Sequence, residues 1–152
     1  MYTILLVEAL EGDASVLASA LRVEGFNVVS VATAGAARDS LQDDPVAIAI
    51  VDLMVRGEPG STGLDLARDI RNASPSTRVL LTSAYHLSER QLERADCGVS
   101  GFIPKPYDVA EVVDFVRQKA SSPPSSRRLW HAESLSGVHD KHEDTPVTAR
   151  RR

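Results

Sequence analysis

The chain has 152 residues, of which 43% are hydrophobic and 25% charged, with a formal net charge of −4. That make-up fits one globular domain with a tail and excludes a collagen-like, disulfide-stapled or wholly disordered chain. Residues 1–119 hold 11 basic against 17 acidic side chains, a balance of −6, while 120–152 hold 6 against 4, so direct nucleic-acid binding by the body is not expected.

No apolar run approaches the ~20 residues that cross a bilayer. Met1-Tyr2-Thr3 lacks the basic start of a secretory signal. A cytoplasmic protein with no membrane contact is therefore expected. Cys97 stands alone, which rules out an internal disulfide, and it reads as a small, partly buried residue near a helix end.

Strands are predicted near 3–8, 27–31, 46–51, 78–82 and 100–103, each a short aliphatic run of the kind that suits a sheet covered on both faces. Between them come helical patterns. Val16, Leu17, Ala20 and Leu21, followed by Gly25 as a stop, predict a first helix over 13–24, and Thr33 caps a second over 34–42. Leu64, Ala67 and Ile70 make the inner stripe of a third over 62–72. Ser88 with Gln91, and Asp108 with Glu111, are capping-box patterns opening the fourth and fifth. Val109, Val112, Val113 and Val116 form one face of the fifth. Five βα units in a row predict an α/β fold, a doubly wound parallel sheet of strand order 2-1-3-4-5, over residues 1–119.

After Lys119 the text changes to Ala-Ser-Ser-Pro-Pro-Ser-Ser, so 120–152 reads as a Ser/Pro-rich linker and a disordered tail. A short amphipathic helix over Arg127–Leu135, anchored by Leu129, Trp130 and Leu135, is the alternative. Arg150-Arg151-Arg152 reads as solvated charge.

The chemistry collects at strand ends. Glu8 closes strand 1, Asp52 closes strand 3, Ser83 follows strand 4 and Lys105 follows strand 5. In a 2-1-3-4-5 sheet these four share the carboxyl edge, where open α/β sheets bind ligands. Thr82 stands beside Ser83, and a slip of one residue exchanges their faces.

In these residues the chain resembles the receiver domain of two-component response regulators. The likeness is carried over residues 3–119 by the acid after strand 1, Val51-Asp52-Leu53-Met54, Ser83-Ala84, and Lys105-Pro106 preceded by Phe102. It implies a flavodoxin-like (βα)5 fold and a signalling domain rather than an enzyme. Asp52 would accept a phosphoryl group from a histidine kinase or phosphotransfer protein. Lys105, the Ser83 hydroxyl and the Ala84 N–H would stabilise the phosphoryl oxygens. Magnesium would be held by Glu8, Asp52 and the Met54 carbonyl. Phe102 would be the aromatic that turns inward on activation, unless it is simply core, and the surface of helix 4, strand 5 and helix 5 would report the state. The resemblance often carries a cis bond before the second proline, here Lys105-Pro106.

Three positions depart from the family pattern. Ala9 stands where a second acid is usual, which weakens the expected magnesium site, with Glu11 or Asp13 as nearby substitutes. The loop from Val55 to Gly63 is longer than usual and either brings Arg56 or Glu58 to the pocket, presents a recognition surface, or is a tolerated insertion. Phe102 replaces a frequent tyrosine. The expected function is a stand-alone response regulator signalling to a downstream protein target, with homodimerisation left open. The alternative is a phosphorylation-independent pseudo-receiver that serves as a scaffold.

Overall fold

A computed structural model describes residues 2–57, 61–85, 87–95 and 98–121. Strands and helices alternate as β1 (Thr3–Val7), α1 (Glu11–Val23), β2 (Asn27–Val31), α2 (Ala34–Asp43), β3 (Ile48–Asp52), α3 (Gly63–Ala73), β4 (Arg78–Ser83), α4 (Glu89–Ala95), β5 (Val99–Pro104) and α5 (Val109–Ser121). Every strand pairing is parallel and the sheet order is β2-β1-β3-β4-β5, as the alternation predicts.

Strand side chains alternate between two faces, and each face has its own core. Ile4, Leu6, Ile48, Ile50, Leu80 and Ile103 pack with α1 and α5. Leu5, Val7, Ala49, Val51, Leu81 and Phe102 pack with α2, α3 and α4. β3 lies at the centre and is buried at all of its positions, Asp52 included. Covering both faces explains why the strands read as continuous aliphatic runs rather than alternating ones.

The caps follow local chemistry. The Thr33 hydroxyl accepts the Ala36 N–H at 3.1 Å, Ser88 and Gln91 exchange bonds of 2.8 and 3.1 Å, and Asp108 accepts from Ala110 and Glu111 at 2.9 and 3.3 Å. A further capping box, Thr62 with Asp65, opens α3.

The inner stripes differ from the sequence reading in three helices. α1 starts at Glu11 and buries Ala14, Leu17, Ala18 and Leu21, whereas Val16 is 58% exposed and Ala20 only partly buried. Two alanines at i and i+4 let the helix lie close to the sheet, and that turns Val16 outward. In α3 the stripe is Gly63, Leu66, Ala67 and Ile70, with Leu64 on its flank. α5 buries Phe115, Lys119 and Ala120 together with Val112, Val113 and Val116, while Val109 is only partly buried. Its Lys119 ammonium lies 5.6 Å from the Phe115 ring centroid, an aromatic stabilisation of a buried cation.

Gly25, at φ +101°, ends the turn after α1 as anticipated. Glu58, Cys97 and the tail from 122 onward, for which the sequence raises expectations, lie outside the described residues.

Candidate functional site at the carboxyl edge of the sheet

Asp52 is the last residue of β3, and its neighbours are set by strand register. It pairs with Thr82 on β4, and the Leu53 N–H donates to the Thr82 carbonyl at 2.8 Å. Thr82 pairs in turn with Ile103 on β5, and the Lys105 N–H donates to the Ser83 carbonyl at 2.8 Å. By alternation Asp52, Thr82 and Lys105 project to the α1/α5 face, while Ser83 and Phe102 project to the other. The sequence reading placed Thr82 only as the neighbour that a one-residue slip would exchange with Ser83; its register opposite Asp52 follows from aligning the two apolar runs.

The centre of the site is an ammonium between two carboxylates. Lys105 Nζ donates to Glu8 Oε1 at 2.8 Å and to Asp52 Oδ2 at 3.2 Å. Glu8 and Asp52 are 5% and 7% exposed, so the pairing occurs where water competes poorly and each charge needs its partner. The second oxygens are also engaged: Glu8 Oε2 accepts the Leu10 N–H at 3.1 Å, and Asp52 Oδ1 accepts the Met54 N–H at 3.0 Å. Burial pushes the Glu8 carboxyl above its ordinary 4.5, helped by Asp52 and opposed by Lys105 and the Leu10 amide. Burial alone would lower Lys105, but the bond to Glu8 and the charges of both carboxylates raise it above 10.5.

The other predicted residues sit around this centre. Ser83 is buried and its Oγ accepts the Tyr85 N–H at 2.8 Å, a turn that leaves Ala84 exposed at the edge. Met54 is exposed immediately beyond Asp52. Phe102 is fully buried among Leu81, Leu92 and their neighbours, so it is a core residue in this state. The Lys105-Pro106 bond is cis. Arg56 is exposed and its carbonyl is committed to α2.

Tyr107, which the sequence reading did not single out, packs on the α1/α5 core beside the pocket. Burial raises its hydroxyl to about 12, with Lys105 pulling it down and Glu8, Asp13 and Asp52 pushing it up. Its signal was its place two residues after Lys105.

Gly63 closes the loop that leaves Asp52. Its N–H donates to the Leu53 carbonyl at 2.7 Å, and a Cβ there would overlap the backbone of Asp52 and Leu53. Only glycine fits this approach.

The donor set is one of hard oxygens. Two buried carboxylates face one ammonium, leaving one net negative charge, and Met54 adds a nearby carbonyl. Magnesium takes one or two carboxylates and completes its shell with water and phosphate oxygens, so these residues fit it as a sparse site. Among the described residues no cluster of three His, Cys, Asp or Glu is poised to hold a metal, and position 9 contributes no acid.

Known proteins resemble this chain in sequence and in architecture. A family model described as the response regulator receiver domain matches residues 4–117. The chain is 31% identical to the transcriptional regulatory protein CpxR of Escherichia coli over 117 residues, covering 77% of this chain and 48% of that protein. It is 30% identical to the sensory transduction protein RegX3 of Mycobacterium tuberculosis, covering 77% and 50%. The chain thus spans about half the length of the curated relatives it matches. Among solved structures, a response regulator from Thermotoga maritima aligns with a TM-score of 0.71 at 25% identity, covering 80% of this chain and 99% of that one. The non-phosphorylated HemR receiver domain from Leptospira biflexa aligns with a TM-score of 0.71 at 25% identity, covering 81% and 97%. With the family model spanning the same β1-to-α5 unit that carries the acid–lysine pocket, the chain belongs to the response regulator receiver domain family.

Proposed function

We propose that this receiver domain accepts a phosphoryl group on Asp52 from a histidine kinase or phosphotransfer protein and passes the signal on by protein contact. The observation that carries the reading is the Lys105 ammonium held 3.2 Å from the Asp52 carboxylate at the sheet edge. An Asp52 oxygen attacks phosphorus and the O–P bond forms as the bond to the donor's imidazole nitrogen breaks, the electron pair leaving with that nitrogen. Negative charge spreads over the transferring oxygens, so the protein's work is positioning and neutralisation. Lys105 neutralises one oxygen, while the Ser83 hydroxyl and the Ala84 N–H donate to another.

Magnesium, when bound, supplies further charge neutralisation and would be held by Glu8, Asp52 and the Met54 carbonyl. Without an acid at position 9 that site is expected to be weak. Phe102 is the aromatic whose reorientation would accompany a move of Ser83, and both lie on the same sheet face.

The domain acts as a stand-alone switch on a downstream protein in this reading. Two of its relatives are named transcriptional regulatory proteins, and this chain spans about half of their length. The acidic body favours protein over nucleic acid as its own partner. A second reading, a phosphorylation-independent scaffold, is favoured by Ala9 and by the engagement of both Glu8 oxygens.

Beryllium fluoride with millimolar magnesium separates the two. The switch predicts amide shifts around Asp52, Ser83 and Lys105; absence of any shift, with partner binding unaltered by Asp52→Ala, would establish the scaffold.

A further inference from the structure

Resting on the phosphoacceptor reading of Asp52, we infer that residues 54–56 form a tether carrying the state of Asp52 to the first turn of α2, a route separate from α4, β5 and α5. Four contacts build it. The Met54 N–H donates to Asp52 Oδ1 at 3.0 Å. The Val55 N–H donates to the Asp52 carbonyl at 3.0 Å. Val55 is 4% exposed and packs in the core that holds Ala34 and Ala37 of α2. The Arg56 carbonyl accepts the Ala34 N–H at 2.8 Å, and Arg56 forms a parallel bridge with Thr33.

Ala34 is the first residue of α2, so its N–H is one of the amides a helix cannot satisfy internally. The Thr33 hydroxyl serves Ala36 instead. The loop after β3 therefore completes the opening of α2, which a tolerated surface insertion has no need to do. There is no slack in the connection: Met54 and Arg56 are separated only by Val55, which is itself buried.

Phosphorylation acts on the near end of this tether. While Asp52 is a carboxylate, the Met54 N–H has a charged acceptor. Once one oxygen is bonded to phosphorus, the carboxylate becomes a neutral acyl group and the negative charge sits on the phosphoryl oxygens, so the charge-assisted bond from the Met54 N–H to Oδ1 weakens. A turn of the Met54 peptide then has to be absorbed by the packing of Val55 or by the Arg56–Ala34 bond. On the far side, Arg38 of α2 is paired with Asp69 of α3 at 2.7 Å, so a loosened first turn reaches the α2–α3 surface.

Amide hydrogen exchange of the whole chain, with and without beryllium fluoride and magnesium, tests the tether. Exchange at Ala34 should speed up by about threefold or more on fluoride binding, alongside the response at Ser83 and Lys105. A response at Ser83 and Lys105 with Ala34 unchanged overturns the tether and leaves the phosphoacceptor reading standing. No response at any of the three overturns both. Val55→Ala should keep the pocket response while making Ala34 exchange insensitive to fluoride; an Ala34 response as large as in the parent would overturn the route through Val55.

Discussion

The two flanks of the pocket bring very different numbers of groups to Asp52. On the β4 and β5 side, Lys105 reaches Asp52 at 3.2 Å, and Ser83 ends β4 with the exposed Ala84 next to it. From β1 comes Glu8 alone, its two oxygens already accepting from Lys105 and from the Leu10 amide, with alanine at the next position. In the proposed reading the flank that would grip a phosphoryl group has each of its expected residues, and the flank that would hold a cation is thin. On this account Lys105 carries a larger share of charge neutralisation than a metal does, and Glu8 serves mainly to hold Lys105 in place.

Removing the link between the flanks should have the largest effect. Lys105→Met leaves Glu8 and Asp52 as two buried carboxylates without their cation, costing about 1–3 kcal/mol. Denaturant unfolding should show the midpoint falling with its slope unchanged, and an unaltered midpoint would mean that the pair contributes little. The loss should be partly recovered by Lys105→Met combined with Glu8→Gln, since one fewer charge is then buried.

Repairing the thin flank comes next in size. Ala9→Asp adds a carboxylate and should tighten magnesium binding by roughly tenfold, which is about 1.4 kcal/mol. Titration calorimetry gives the answer directly, and unchanged affinity would mean that Glu11 or Asp13 already fills the place.

The smallest effect concerns the Tyr107 hydroxyl, whose raised value reports how dry and negative the pocket's edge is. A tyrosine raised from 10.0 to about 12 contributes stability that is full below 10 and is lost as pH rises through about 12. The difference in near-ultraviolet absorbance between the parent and Tyr107→Phe should show a phenolate step centred at about 12; a step at the ordinary tyrosine value would place the ring in water.

What could be read from the sequence was whatever strand register and end chemistry determine. Asp52 and Lys105 were legible because each ends an apolar run, and parallel order 2-1-3-4-5 leaves such ends at one edge. Ser88 with Gln91 was legible because a reciprocal cap is a local bond pair. The outward turn of Val16 was not, because Ala14 and Ala18 carry little hydrophobic signal while deciding how closely α1 approaches the sheet. Neither was Val55: its burial depends on where α2 begins, which no local pattern in Val55-Arg56-Gly57 records. The Thr62–Asp65 cap was present as a Thr-x-x-Asp pattern, hidden by the glycine-rich loop before it.

The phosphoacceptor role proposed for Asp52 is decided by intact-protein mass after incubation with a small phosphodonor and magnesium: one added phosphoryl group is expected on the parent chain and none on Asp52→Asn. A parent chain that takes up nothing, or an Asp52→Asn chain that is modified as readily as the parent, would contradict it.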